Sequence, residues 1–320
     1  MNAVLPLLLR HSALLLLAVS LAVFGFLSPA YITAANLLNL GTQTAPVLVA
    51  ATGMTLVLVA GGVDLSVGAI MFVAASLAGK LALGGYGLIV IIPLMLATGA
   101  ACGGLNALLI ARFGLLAFVA TLGTLYTGRG FALWLTETRA LNLPEAFLQV
   151  GTARLCGIPL PVVIALTVVI AGQVTLSATP FGRRLYATGH NPDGARQAGL
   201  PVPRLLAAVY VISGVCAALG GLLTLTQLGA VSPRFGLNAE FTAIAAAVLG
   251  GSSLFGGRGA VLPGTVAGAL LMQSLENGLV VLNTDPYLFP LITSAVIFLA
   301  LLIDSLRSGR AREWRLSYRG

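Results

Sequence analysis

The chain is built from ten apolar runs divided by short polar or glycine-rich punctuation. The runs lie at 12–28, 46–60, 66–83, 88–110, 115–135, 159–176, 205–227, 241–254, 260–282 and 287–304. About 20 apolar residues suffice for one helical crossing of a bilayer. The runs at 46–60 and 241–254 are short for that and read as half-helices. Residues 28–45 read as a partly amphipathic segment lying on the membrane surface. The expectation is an all-α polytopic membrane protein of about ten transmembrane helices, with interrupted helices, in a single domain over 1–320.

Charge closes the soluble alternatives. The 320 residues carry 17 Lys+Arg and 9 Asp+Glu, 8% charged against 58% hydrophobic. A soluble domain carries about 25% charged residues to cover its surface. This count excludes a soluble enzyme, a disordered chain and a free-standing nucleic-acid binder. With ten spans both termini share a side, and placing them in the cytoplasm sorts the basic residues. Arg10, Arg112, Arg183, Arg184, Arg196, Arg204, Arg258, Arg307, Arg310, Arg312, Arg315 and Arg319 fall inside. Only Arg139, Arg154 and Arg234 fall outside. That bias follows the positive-inside rule and explains the basic balance without a nucleic-acid partner. The tail at about 305–320 also suits contact with anionic membrane lipid. The first run is long and no clean small-x-small site closes it, so it reads as a retained helix rather than a signal peptide. Trp134 and Trp314 fall near membrane interfaces, where Trp anchors.

Chemistry-bearing motifs are few. Lys80 is the only lysine, and Leu81 follows it, so the Gly-Lys-Ser/Thr of a P-loop is absent. Cys102, Cys156 and Cys216 read as small hydrophobes and form no C-x-x-C pair. His11 and His190 lack metal-ligand spacing. No metal site and no catalytic residue is expected. An intramembrane serine protease needs a Ser–His pair, yet both histidines lie outside the spans. A metal-dependent lipid transferase needs clustered carboxylates, and no two of the nine acids lie within four residues of each other.

Two breaks look alike. Residues 61–68 (Gly-Gly-Val-Asp-Leu-Ser-Val-Gly) and 250–257 (Gly-Gly-Ser-Ser-Leu-Phe-Gly-Gly) both fit Gly-Gly-x-x-Leu-x-x-Gly. They mark Gly61, Gly62, Gly250, Gly251, Gly256 and Gly257 as helix-break glycines and suggest an internal pseudo-repeat, a common plan in transporters.

The longest stretch on the cytoplasmic side is 177–204. Asn191 ahead of Pro192 can cap a short helix over 193–199, and Gly199 stops it. Ala195 and Ala198, at i and i+3, give that helix a small-residue face on which another protein can pack. A plain solvated connector fits the same residues.

Residues 182–200 read Gly-Arg-x-x-Tyr-Ala-x-Gly-x-Asn-x-x-x-Ala-Arg-x-x-Gly-Leu. Residues 60–68 read Ala-Gly-Gly-Val-Asp-Leu-Ser-Val-Gly. A third block runs from Glu240 through Ala245–Ser253 to Gly256-Gly257-Arg258-Gly259, and Asn277-Gly278-Leu279 follows. Together these resemble the ribose/xylose/arabinose-type ABC importer permeases, within the branched-chain amino acid/sugar permease superfamily, over most of residues 40–305. The chain departs from the usual residues of that family at His190, Gly194 and Asn238. The resemblance implies a homo- or heterodimer in the bacterial inner membrane. A periplasmic or lipid-anchored solute-binding protein delivers the solute. A separate cytoplasmic ABC ATPase binds the ATP, so the chain has no cofactor of its own. Gly189, Asn191, Ala195, Arg196 and Gly199 would belong to the element that couples to the ATPase.

Polar residues inside spans are costly and tend to face a cavity or a partner. Asp64 and Ser66 either line the solute path or cap the following half-helix. Asn106 makes either a helix-packing hydrogen bond or a solute contact. Thr121, Thr124 and Thr127 form a stripe that faces the path or bonds back to its own helix. Gln227 and Glu240 lie near the outer mouth. Asn277 lies in the path or in a buried structural bond. Arg129 pairs with a helix end or reaches an interface. The scarcity of charges in the spans favours a neutral solute such as a monosaccharide. A permease for branched-chain amino acids or another small solute has the same architecture. An ion-coupled carrier without an ATPase is the alternative of a different class.

Overall fold

A computed structural model describes residues 12–292, together with 294, 295, 298 and 302. It begins with α1 (Ser12–Leu27), a 3-10 turn (Pro29–Ile32), α2 (Ala34–Val59), α3 (Val67–Leu83), α4 (Leu88–Ala107, continued by a π-helical turn at Leu108–Arg112) and α5 (Ala117–Thr136). A small cap of β1 (Leu141–Asn142), α6 (Glu145–Thr152), β2 (Arg154–Leu155) and β3 (Ile158–Pro159) follows. Then come α7 (Leu160–Ala178), α8 (Pro180–His190), α9 (Pro192–Gln197), α10 (Val202–Leu228), β4 (Ala230–Val231), α11 (Ala239–Leu249), a π-helical turn (Val261–Thr265) and α12 (Val266–Val281). β1 pairs antiparallel with β4, and β2 with β3. The architecture is all-α.

Four helices among the described residues are long and apolar enough to cross a bilayer: Ala34–Val59, Leu88–Arg112, Leu160–Ala178 and Val202–Leu228. Shorter apolar helices match the runs at 12–28, 66–83 and 241–254. The last of these is the 11-residue α11, about 16 Å long at 1.5 Å per residue, which agrees with a half-helix. Most of the run at 287–304, and Arg10, His11, Trp314 and the tail arginines, lie outside the described residues.

The half-helix expected at 46–60 is instead the second half of the 26-residue α2, and the surface segment expected at 28–45 supplies its first half. The polar residues that break the hydropathy pattern there are satisfied internally. Thr42 and Thr44 donate back to the carbonyls of Leu38 and Leu40, and Asn36 pairs with Asn277 on α12. Pro46 sits inside α2 and has no N–H, which frees the carbonyl four residues earlier. That carbonyl, of Thr42, accepts from Gln227 Nε2 at 2.9 Å.

α10 is the central helix, packed against α4, α2 and α3. Its crossing with α4 brings backbones into contact. A Cβ on Gly99 or Gly103 would collide with the carbonyls of Gly214 or Tyr210, and one on Gly214 with the carbonyl of Gly99. Small residues that allow backbones to approach this closely drive helix association in lipid.

Candidate functional site

α2 ends at the first glycine break, and the chain turns into α3 through Asp64, which is fully buried. Asp64 Oδ1 accepts from the Ser66 amide (3.0 Å) and Ser66 Oγ (2.6 Å), closing an Asx turn ahead of α3. Its Oδ2 accepts from Ser213 Oγ of α10 at 2.7 Å. Asn106 Nδ2 on α4 donates to Ser66 Oγ at 2.7 Å, and Thr124 Oγ1 on α5 donates to Asn106 Oδ1 at 2.8 Å. Asp64, Ser66, Asn106 and Thr124 thus join in one polar chain. It links the break to three other helices and ends at the half-buried Thr124. Thr121 Oγ1 donates to Ala117 O at 2.8 Å and lies 3.4 Å from Val63 O. Val63 O also accepts from Tyr210 Oη at 3.3 Å.

The threonine stripe does not hold as a single face. Thr121 is buried, Thr124 half-buried and Thr127 exposed. Three residues fall short of a 3.6-residue turn, so each step rotates the face by about 60°.

The two breaks adopt the same helix-stop geometry, shifted by one residue from the sequence match. Gly61 and Gly251 both have positive φ, at 85° and 96°. Gly62 N–H donates to Val57 O, and Ser252 N–H donates to Ala247 O, each at 3.0 Å in the 6→1 bond of a Schellman stop. Of each Gly-Gly pair at a helix stop, only that one glycine is demanded by backbone conformation; further along the second break, Gly256 and Gly257 also have positive φ, at 86° and 72°. Gly62 is needed because a Cβ would meet Tyr210 Oη, and Gly250 because it passes against the Gly264 backbone.

The 177–204 stretch holds two helices rather than one. Thr179 caps α8 by accepting from Gly182 N–H at 3.1 Å. Asn191 Oδ1 caps α9 by accepting from Gly194 N–H at 2.9 Å. Gly199, at φ 79°, stops α9, and Leu200 N–H returns to Ala195 O. The shared face expected of Ala195 and Ala198 is corrected. Ala195 is buried against its own chain, while Ala198 and Arg196 are exposed, with Arg196 paired to Asp193 at 2.9 Å.

Gly189, in the last turn of α8, is the contact between this stretch and both breaks. A Cβ there would run into the Val59 carbonyl and the Gly257 amide. Gly257 N–H itself donates to Val59 O at 3.0 Å. A Cβ on Gly256 would come within 2.8 Å of Gly61 Cα. Tyr186 Oη on α8 donates to Gly259 O at 2.6 Å, and partial burial raises its hydroxyl pKa, keeping it a donor.

The family model described as "Branched-chain amino acid transport system / permease component" matches residues 36–303. The chain belongs to this permease family. It is 32% identical to the ribose import permease protein RbsC of Haemophilus influenzae, over 93% of this chain and 94% of that one. Identity to RbsC of Escherichia coli K12 is 35% over the same shares. Identity to the D-allose transport system permease protein AlsC of Escherichia coli K12 is 33%, over 93% and 92%. No solved structure matches the chain.

The remaining candidates of the permease stand apart from the Asp64 chain. Gln227 serves the carbonyl freed by Pro46. Asn277 exchanges side-chain hydrogen bonds with Asn36 at 2.9 and 3.2 Å. Beside it, Ser274 Oγ bonds to Ser20 and Tyr31 and locks α1 onto α12. Glu240 lies in the first turn of α11. Sequence reasoning missed Ser213 and Tyr210 of α10, whose polar groups close the site from the far side. The hydroxyl of Ser213, beside Gly214 in the apolar run at 205–227, was the available signal.

Proposed function

We propose that the chain is the membrane-spanning permease subunit of an ABC importer for a neutral monosaccharide. Two copies, or this chain and a related one, form the pathway in the bacterial inner membrane with both termini cytoplasmic. A solute-binding protein delivers the sugar outside, and a separate ATPase binds ATP inside. The curated relatives named for ribose and allose support the solute class.

The observation that carries the reading is the seating of Gly189 on the end of α2 and on Gly257. α8 and the capped α9 form the ATPase-facing element, with Asn191, Arg196 and Gly199 shaping its surface. Ala195 anchors it from within. Closure of the ATPase pushes α8, and Gly189 passes the displacement to both breaks. The Asp64–Ser66–Asn106–Thr124 chain then carries it to α4 and α5. A packed junction of this kind switches between two arrangements rather than deforming smoothly. Thr124, at the open end of the chain, is the residue of this network placed to meet a solute hydroxyl.

The test is uptake of radiolabelled D-ribose, D-allose and D-galactose by proteoliposomes holding the permease, its ATPase and its binding protein. ATP-dependent uptake of one of them is the expected result. Uptake of leucine or isoleucine and of no sugar would favour the branched-chain amino acid reading.

A further inference from the structure

Helices α3 and α11 begin against each other inside the molecule. A Cβ on Gly68, in the first turn of α3, would run into the Gly236 carbonyl and into Glu240 Oε2. Glu240 belongs to the first turn of α11, so two positive helix ends bear on its carboxylate. Even so, Oε2 has no hydrogen-bond partner among the described residues, although Glu240 is only 3% exposed.

Arg129 of α5 faces the same place. Its guanidinium stands 6.0 Å from the centre of the Phe72 ring, one turn after Gly68 on α3. Arg129 Nη2 is also buried and without a partner, and no ion pair joins it to Glu240 among the described residues. A buried donor and a buried acceptor left open cost stability unless something else completes them. The Asp64 carboxylate differs, because hydroxyl and amide groups already occupy both its oxygens.

We infer that Glu240 and Arg129 form a polyol-binding subsite where α3 and α11 meet. One hydroxyl of a vicinal diol donates to Glu240 Oε2, and its neighbour accepts from Arg129 Nη2. The pair is electrically balanced, which suits a neutral solute. This assignment rests on the monosaccharide reading above.

The test uses the full complex in proteoliposomes. The probes are whichever of D-ribose, D-allose and D-galactose the wild type takes up, together with the deoxy analogues of that sugar. Hydrogen bonds to charged groups are strong enough that Glu240→Gln should lower uptake of the parent sugar by about tenfold or more. At least one deoxy analogue should lose much less, which compresses the wild-type discrimination. The same binding protein is present throughout, so its selectivity cancels in the ratio. Arg129→Lys should compress discrimination in the same way. An equal loss for parent and every analogue overturns the subsite and leaves the monosaccharide reading standing. Failure of both variants to accumulate in membranes marks the pair as a folding element and also overturns it. A wild type that imports none of the sugars overturns the monosaccharide reading, and the subsite falls with it.

Discussion

The Gly257 amide donates to the carbonyl of Val59 at 3.0 Å, and Gly189 lies against both partners with no room for a Cβ. Three segments far apart in sequence therefore meet backbone to backbone. A push on α8 has no soft side chain here in which to dissipate.

Gly189→Val is expected to break this junction. Gly189 has an ordinary helical backbone, so the obstacle is space rather than conformation. The variant should still bind the ATPase through α9 but lose most ATP-dependent uptake. Co-purification of the ATPase alongside vesicle uptake separates the two effects; full uptake would count against the junction.

Residues that touch the ATPase are expected on the exposed side of α9. Cysteine at Ala198 or Gln197 should crosslink to groove cysteines in the ATPase, whereas cysteine at the buried Ala195 should not. Asn191→Ala removes the cap and should cost the helix about 1 kcal/mol, weakening ATPase association in a pull-down. Strong adducts at Ala195 with none at Ala198 would reverse the assigned face.

Asp64 separates a structural from a functional role. Asp64→Ala leaves Ser66, Ser213 and an amide without their acceptor and should destabilise the protein by about 3 kcal/mol. Asp64→Asn keeps the size and can still bond both serines, so it should accumulate in membranes while transport falls. Thermal unfolding in detergent and uptake in vesicles measure the two quantities. Wild-type uptake by Asp64→Asn would confine Asp64 to capping.

Gln227 and Pro46 should behave as a compensating pair. Gln227→Leu leaves the Thr42 carbonyl unpaired and should lower stability by about 2 kcal/mol. Adding Pro46→Ala restores a backbone N–H for that carbonyl and should recover most of the loss. Additive losses in the double variant would mean that Gln227 acts elsewhere.

Much of this was legible from residue order. The apolar runs foretold an all-α bundle, and the Asn191 cap and Gly199 stop were readable because both depend on neighbours a few residues away. The first half of α2 was not readable. Its polar residues looked solvated, and their partners Gln227, Gln273 and Asn277 lie more than 180 residues away. The break motif was found one residue out of register, because Gly62 and Gly250 are glycine for packing and Gly61 and Gly251 for backbone conformation. Asp64, Ser66, Asn106 and Thr124 were each visible as costly groups in apolar runs. That they form one chain follows only from the way α3, α4 and α5 pack.

The most direct measurement of the central claim compares two kinds of vesicle. One holds the permease alone under a proton or sodium gradient, and the other holds it with its ATPase, its binding protein and enclosed ATP. A pathway driven by a partner's ATP predicts sugar uptake only in the second, abolished when ATP is replaced by a non-hydrolysable analogue. Gradient-driven uptake by the permease alone would contradict it.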